Sequence, residues 1–185
     1  MPEPAQAAMP TREDLEPSPA LSIIANGPNG FAGRKLGIVV TDGTDEALFD
    51  ALTAAVTEAG GTYEVVAPRI GGVTLSSGVT LAAKHKIDGG PSVLFDAVAV
   101  IPSDEGTQML LGDAPSRDFV SDAFAHCKFI GLSAGGTALM TAAGLGDKLD
   151  EGCVELSTPG NAAAFIAACA PLRHWQRELK VDLDA

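Results

Sequence analysis

The chain has 185 residues, 46% of them hydrophobic and 5% aromatic, with a formal charge of −12 and a pI near 4.5. That is material for one hydrophobic core rather than two, and the acidic balance argues against a nucleic-acid surface or an anionic membrane, both of which need clustered Lys and Arg. No apolar run approaches the ~18 residues of a membrane span and no signal-peptide core opens the chain, so a soluble, cytoplasmic protein is expected. Cys127, Cys153 and Cys169 are widely spaced, without C-x-x-C or a Cys/His pattern suited to zinc. They point to reduced thiols, buried or partly buried, and to no metal site.

Residues 1–33 form a proline-rich linker holding Pro2, Pro4, Pro10, Pro17, Pro19 and Pro28. Such a segment is extended and buries too little apolar surface to fold alone, although Leu21–Ile24 is apolar enough to dock on a neighbouring surface. Residues 34–185 form the folded domain. Leu36-Gly-Ile-Val-Val40 is a continuous apolar run, as in a strand buried on both faces. After the turn Thr41–Thr44, Leu48, Leu52, Ala55, Val56 and Ala59 recur at helical spacing, with Asp45 and Glu46 where the helix dipole favours acids. Gly60-Gly61 ends that helix, and Tyr63–Ala67 is the next strand. Within Ile70–Lys86, Gly71–Leu75 and Val79–Leu81 flank Ser76-Ser77-Gly78 as a small β-hairpin excursion that also takes in His85. Ala97–Ile101 is a further buried strand and Glu105–Leu111 a short helix. A helix with Phe119, Val120, Ala123 and Phe124 on one face follows. Phe129–Leu132 is a strand, Thr137–Ala143 helical, and Asn161 is placed to cap a last helix, Ala162–Ala170. Strands alternating with helices predict an α/β fold, a flavodoxin-like doubly wound and mostly parallel sheet.

Between the Phe129 strand and its helix lies Gly131-Leu-Ser-Ala-Gly135. This G-x-S-x-G has the form of a nucleophile elbow, a sharp strand-to-helix turn that lifts one side chain above the sheet. A serine nucleophile also needs a base held by a carboxylate. Only His174 follows Ser133, in a charged tail. His126 lies at the far end of the strand from the elbow, in keeping with a helix-terminus histidine. Asp104 and Glu105, after the Ala97 strand, are a weak alternative as a cation pair. No G-x-x-x-x-G-K-[ST] or G-x-G-x-x-G is present, and Asp42 would repel a phosphate after the first strand. Tyr63, the one tyrosine, sits mid-strand as a packing residue.

Five blocks carry a resemblance: 13–24 (EDLEPSPALSII), 33–43 (GRKLGIVVTDG), 66–75 (VAPRIGGVTL), 90–97 (GPSVLFDA) and 117–126 (RDFVSDAFAH). Together they resemble the C-terminal region of large-subunit, monofunctional haem catalases, from the proline tail to Trp175. That region is similar to the class I glutamine-amidotransferase-like superfamily, the fold of intracellular proteases and Parkinsonism-associated glyoxalase/chaperone proteins. The resemblance implies a parent that disproportionates hydrogen peroxide. Its haem, tyrosine ligand and distal histidine and asparagine would lie in an N-terminal β-barrel outside these residues, so no cofactor is expected here. The implied partners are that haem-barrel domain and sister subunits, with unfolded client proteins as a further class. Active superfamily members place a cysteine where Ser133 stands and a glutamate where Leu48 stands. They have a Gly-Gly turn where Ser103-Asp104 stands, and a histidine about one helix beyond the elbow, which this chain lacks. The expectation is therefore a catalytically silent, stabilising domain in which Ser133, with Gly131, Ala134 and Gly135, is a vestigial elbow. The alternative is a stand-alone serine hydrolase, or a glyoxalase- or deglycase-like enzyme, using Ser133.

Overall fold

A computed structural model describes residues 5–180. In chain order the elements are β1 (Lys35–Val39), α1 (Glu46–Glu58), β2 (Thr62–Ala67), β3 (Val73–Thr74), β4 (Thr80–Leu81), β5 (His85–Lys86), β6 (Ala97–Val100), α2 (Asp104–Gly112), α3 (Ala114–Ala125), β7 (Ile130–Leu132), α4 (Ala134–Ala142), β8 (Cys153–Glu155) and α5 (Ala162–Ala168). Six strands form one sheet in the order β5-β2-β1-β6-β7-β8, every neighbouring pair parallel. The flavodoxin-like expectation holds. β3 and β4 pair antiparallel as the expected hairpin.

The central strands are apolar throughout because helices cover both faces. Alternation along β1 shows the division. Leu36, Ile38 and Val40 pack with Leu48, Leu52 and Val56 of α1 and Phe165 and Ile166 of α5. Val39 points the other way, to a second core built by Leu110 of α2, Phe119 and Val120 of α3, and Leu139 and Met140 of α4. Asp45 caps α1, its carboxylate accepting the Leu48 N–H at 3.2 Å. Phe31, within the stretch read as linker, is buried in the first core, and Gly30 N–H donates to the Ala170 carbonyl at 3.2 Å.

The structure corrects several sequence expectations. His85 lies outside the hairpin excursion, on β5, paired beside Val66. Its Nε2 meets Glu64 Oε2 at 2.7 Å, and Lys35 Nζ donates to the other Glu64 oxygen at 2.9 Å. Both partners hold the Glu64 carboxyl below its ordinary range. Asn161 does not cap α5. Its side-chain oxygen turns back to accept from Thr158 N and Oγ1. The helix after the elbow begins at Ala134, not Thr137. β8, which closes one edge of the sheet, had no distinct apolar run to announce it.

At the amino edge of the sheet the chain buries charge. α3 ends with Cys127 in the left-handed region at φ 53°. Cys127 N–H bonds the Phe124 carbonyl and Lys128 N–H the Ala123 carbonyl, a helix-terminating pair usually built on glycine. Lys128 is 2% exposed, its ammonium donating to the carbonyls of Ser92 and Phe95 at 2.5 and 2.6 Å. Arg177, fully buried, makes two hydrogen bonds to Asp150 at 2.9 and 2.7 Å. It donates to the Lys128 carbonyl at 2.7 Å and lies 4.3 Å from the centre of the Phe124 ring. Among the described residues the cysteines form no disulfide; burial pushes the thiols of Cys127 and Cys169 up, with Glu178 adding to the effect on Cys127.

Candidate functional site

β1, β6 and β7 deliver Thr41–Thr44, Ser103 and Ser133 to the carboxyl edge of the sheet. From β1 the chain goes to β2 on one side and later to β6 on the other. In sheets of this kind the crevice at that switch point is where ligands enter. Here hydroxyl groups line it and bond to one another and to the backbone. Thr41 N–H donates to Thr44 Oγ1 at 3.0 Å, and Thr44 Oγ1 donates to the Ile101 carbonyl at 3.1 Å. Thr41 Oγ1 lies 3.2 Å from Ser103 Oγ and accepts Ser103 N–H at 3.0 Å. Ser103 Oγ donates to the Asp42 carbonyl at 2.6 Å and accepts the Gly106 N–H at 3.0 Å, capping α2.

The β3–β4 hairpin then covers the end of β1. Gly43 N–H donates to Thr74 O at 2.7 Å, and Ser76 N–H to Thr44 O at 2.9 Å. Thr74 N–H donates to Asp42 Oδ1 at 2.8 Å, while the other Asp42 oxygen pairs with Arg69. Asp42, read from sequence as a barrier to phosphate, is thus the clamp between β1 and the hairpin.

Ser133 stands at the carboxyl end of β7 with φ −72° and ψ 176°, a relaxed conformation rather than the strained one of a nucleophile elbow. It is the N-cap of α4, and its hydroxyl accepts the Gly136 N–H at 3.4 Å. Among the described residues no acid or histidine side chain hydrogen-bonds it. His85 is four strands away, at about 4.8 Å per strand. His126 ends α3, and His174 packs edge-on against Phe129, their ring centres 5.9 Å apart, with its backbone N–H bonded to the Cys127 carbonyl at the opposite edge. Gly131 and Gly135 serve packing. A Cβ at Gly131 would lie 2.5 Å from Leu156, and one at Gly135 would lie 2.1 Å from Thr107 Oγ1. Leu48 is buried in the core. Asp104 and Glu105 are exposed in the first turn of α2, where the helix dipole favours them. Among the described residues no group of three or more His, Cys, Asp or Glu side chains is arranged to hold a metal.

The hydroxyl seam was missed in the sequence. Its signal was the polar run Thr41-Asp-Gly-Thr44 straight after a buried strand, paired with the serine after Pro102. Ser133→Ala is expected to cost about 1 kcal/mol, as for loss of an N-cap, with Ser133→Asp near wild type. Urea unfolding of both variants measures this, and a Ser133→Ala chain as stable as wild type would contradict the capping role.

The family described as the C-terminal domain found in long catalases matches residues 32–178. The chain belongs to that family. Catalase C of Rhizobium meliloti (strain 1021) is 53% identical over 183 residues, 99% of this chain and 26% of the relative. Catalase HPII of Mycobacterium avium is 31% identical over 192 residues, 96% of this chain and 27% of the relative. The chain therefore spans about a quarter of the length of these curated relatives. Among solved structures, Toxoplasma gondii DJ-1 in its oxidized form superposes with TM-score 0.60 at 16% identity, over 80% of this chain and 96% of the other. A ThiJ/PfpI domain protein from Brachyspira murdochii gives TM-score 0.63 at 14% identity, over 78% and 98%. At such identities the likeness is one of fold, and that fold is the DJ-1/ThiJ/PfpI one.

The tyrosine and two of the histidines are engaged within the domain. Tyr63, expected from sequence as a packing residue, is exposed, with one ring edge meeting Phe49 at 6.1 Å between ring centres. It borders a surface groove with Asp50, Thr57 and Glu58. His85 is bonded to Glu64, and His174 is wedged against Phe129.

Proposed function

We propose that this chain works as the non-haem, C-terminal domain of a long catalase, and that its own contribution is to stabilise the assembled protein. The whole polypeptide would disproportionate hydrogen peroxide to water and oxygen, with haem held by a preceding barrel domain and with sister subunits as partners in the cytoplasm. The observation that carries this reading is the closure of the switch point. The Thr41–Thr44–Ser103 hydroxyls and the β3–β4 hairpin occupy the ligand entrance, and Ser133 caps α4. A nucleophile needs a base within hydrogen-bond reach. Ser133 Oγ instead faces a backbone N–H.

The test compares a full-length long catalase bearing this domain with the same protein lacking residues 32–185. Deletion is expected to shorten the half-life of heat inactivation while peroxide turnover per haem at 25 °C stays within about twofold. Purified 1–185 is expected neither to decompose peroxide nor to retain haem. An unchanged half-life, or peroxide turnover by 1–185, would overturn the proposal.

A further inference from the structure

The proline-rich stretch contains one piece of local structure that the folded domain does not use. Residues 18–26 form a closed knot. Pro19–Leu21 is a 3-10 turn, with Leu21 N–H donating to Ser18 O at 3.0 Å and Asn26 N–H to Ser22 O at 3.0 Å. Ala25 N–H donates to Ser22 Oγ at 3.1 Å. The Asn26 side-chain amide ties the knot, donating to Pro19 O at 2.7 Å and Ser22 O at 2.9 Å. Six hydrogen bonds within nine residues, Ser22 N–H to Pro19 O at 3.3 Å among them, hold a backbone that proline has already stiffened. Yet the knot buries nothing. Leu21, Ile23 and Ile24 are 82%, 67% and 66% exposed.

A flexible linker has no need of such a fold, and a folded knot that turns its three largest apolar side chains to water loses their burial energy. The arrangement suits a preorganised anchor, which enters a pocket with little further loss of conformational freedom. A second apolar pair, Val93 and Leu94, is also exposed, in the turn leading into β6. The knot leads into β1, so both enter the sheet from its amino edge, opposite the sealed switch point.

We infer that the Ser18–Asn26 knot is an anchor that seats this domain on an apolar pocket of the preceding body of the same polypeptide. The inference rests on the proposed function. The chain aligns with about a quarter of Catalase C of Rhizobium meliloti, and that alignment takes in 99% of this chain. The alignment therefore runs through residues 18–26, while the matched domain starts only at residue 32. In a C-terminal domain the rest of the protein lies upstream of the knot. Covalent attachment presents that body to the anchor at an effective concentration that no free partner shares. The partner surface is apolar, because the anchor presents only aliphatic side chains.

The experiment uses the full-length long catalase carrying this domain and the 185-residue chain, each as wild type and as Ile23→Ser/Ile24→Ser, which leaves Leu21 as a chymotrypsin reporter. Cleavage after Leu21 is expected to be at least tenfold slower in full-length wild type than in the 185-residue chain. The double substitution should abolish that protection, and it should leave the cleavage rate and melting temperature of the 185-residue chain unchanged. Protection should not vary on dilution. Equal cleavage of full-length wild type and variant would overturn the inference. So would protection that fades on dilution, which places the anchor on a neighbouring subunit, or dimerisation of the 185-residue chain that the substitutions abolish. Heat inactivation of the domain deletion reports on the proposed function and Leu21 cleavage on the anchor, so either can fail alone.

Discussion

Arg177→Met is expected to destabilise the chain by about 3–5 kcal/mol, as does removal of one partner from a buried ion pair elsewhere. For a chain of this size that lowers the melting temperature by roughly 6–20 °C. Arg177 and Asp150 have side chains 0% and 1% exposed, so the substitution leaves a carboxylate stranded in the interior. Burial by itself would push the Asp150 carboxyl up. The paired hydrogen bonds and charge of Arg177, with the Gly152 N–H and His174, hold it below its ordinary range. A carboxyl depressed in this way contributes stability that is complete above its unfolded value, near 4. That contribution is lost as pH falls through the folded value. Wild type should therefore show an acid-side fall in stability that Arg177→Met lacks. The double variant Arg177→Met/Asp150→Leu should recover most of the loss, since the cost lies in the orphaned charge and not in the missing bond. Urea unfolding at pH 7 and across the acid range measures all three. An Arg177→Met chain within about 1 kcal/mol of wild type would refute the argument.

Lys128 gives the opposite pH signature. Burial, with Arg173 adding its repulsion, lowers its ammonium from the ordinary 10.5 to about 8. Below pH 8 both states carry the proton, and the folded state bears the cost of a buried charge. Between pH 8 and 10.5 the unfolded chain holds the proton that the folded chain has released, so stability rises with pH across that window. The full gain is about 3 kcal/mol at 1.36 kcal/mol per pH unit. Lys128→Met should flatten the rise. At pH 7 it should change stability by less, because relief from the buried charge is set against the hydrogen bonds lost by the Ser92 and Phe95 carbonyls. Denaturant unfolding from pH 7 to 10.5 decides it, and a wild-type profile that falls across the window would contradict the assignment.

Much of the fold was legible in the sequence because the parallel sheet writes itself in continuous apolar runs. Leu36–Val40, Val65–Ala67 and Ala97–Ile101 are all buried strands, and the faces of α1 and α3 followed from helical spacing. Edge strands carry no such signal. His85–Lys86 is two polar residues whose strand character comes from pairing with β2, and Cys153–Glu155 is half-exposed, so both were invisible to periodicity. Lys128 and Arg177 were missed for a related reason. A charged side chain reads as surface until tertiary packing supplies carbonyls or a carboxylate, and no local pattern records partners as distant as Asp150 from Arg177. Asn161 was misplaced because two sets of donors for one side-chain oxygen, a helix start and a turn, look alike in sequence. At Gly131–Gly135 the turn was located correctly and its geometry was not. A serine before a helix can be a strained nucleophile or an ordinary cap, and the four-residue spacing of small residues is common to both. Only φ separates them.

The hydroxyl-lined switch point bears on how this domain moves. Ligand-gating segments are drawn from the least stable parts of a fold, because they must open. Here the same edge is knitted into both cores. Thr41 and Thr44 are fully buried, and the hairpin above them is fastened by backbone bonds at Gly43, Thr74 and Ser76. Opening it would break the end of β1, the cap of α2 and the hairpin in a single event. Amide hydrogen exchange at Thr41 and Thr44 is therefore expected to be as slow as in the central strands. A rigid body of this kind transmits force between whatever is attached to its two ends instead of absorbing it.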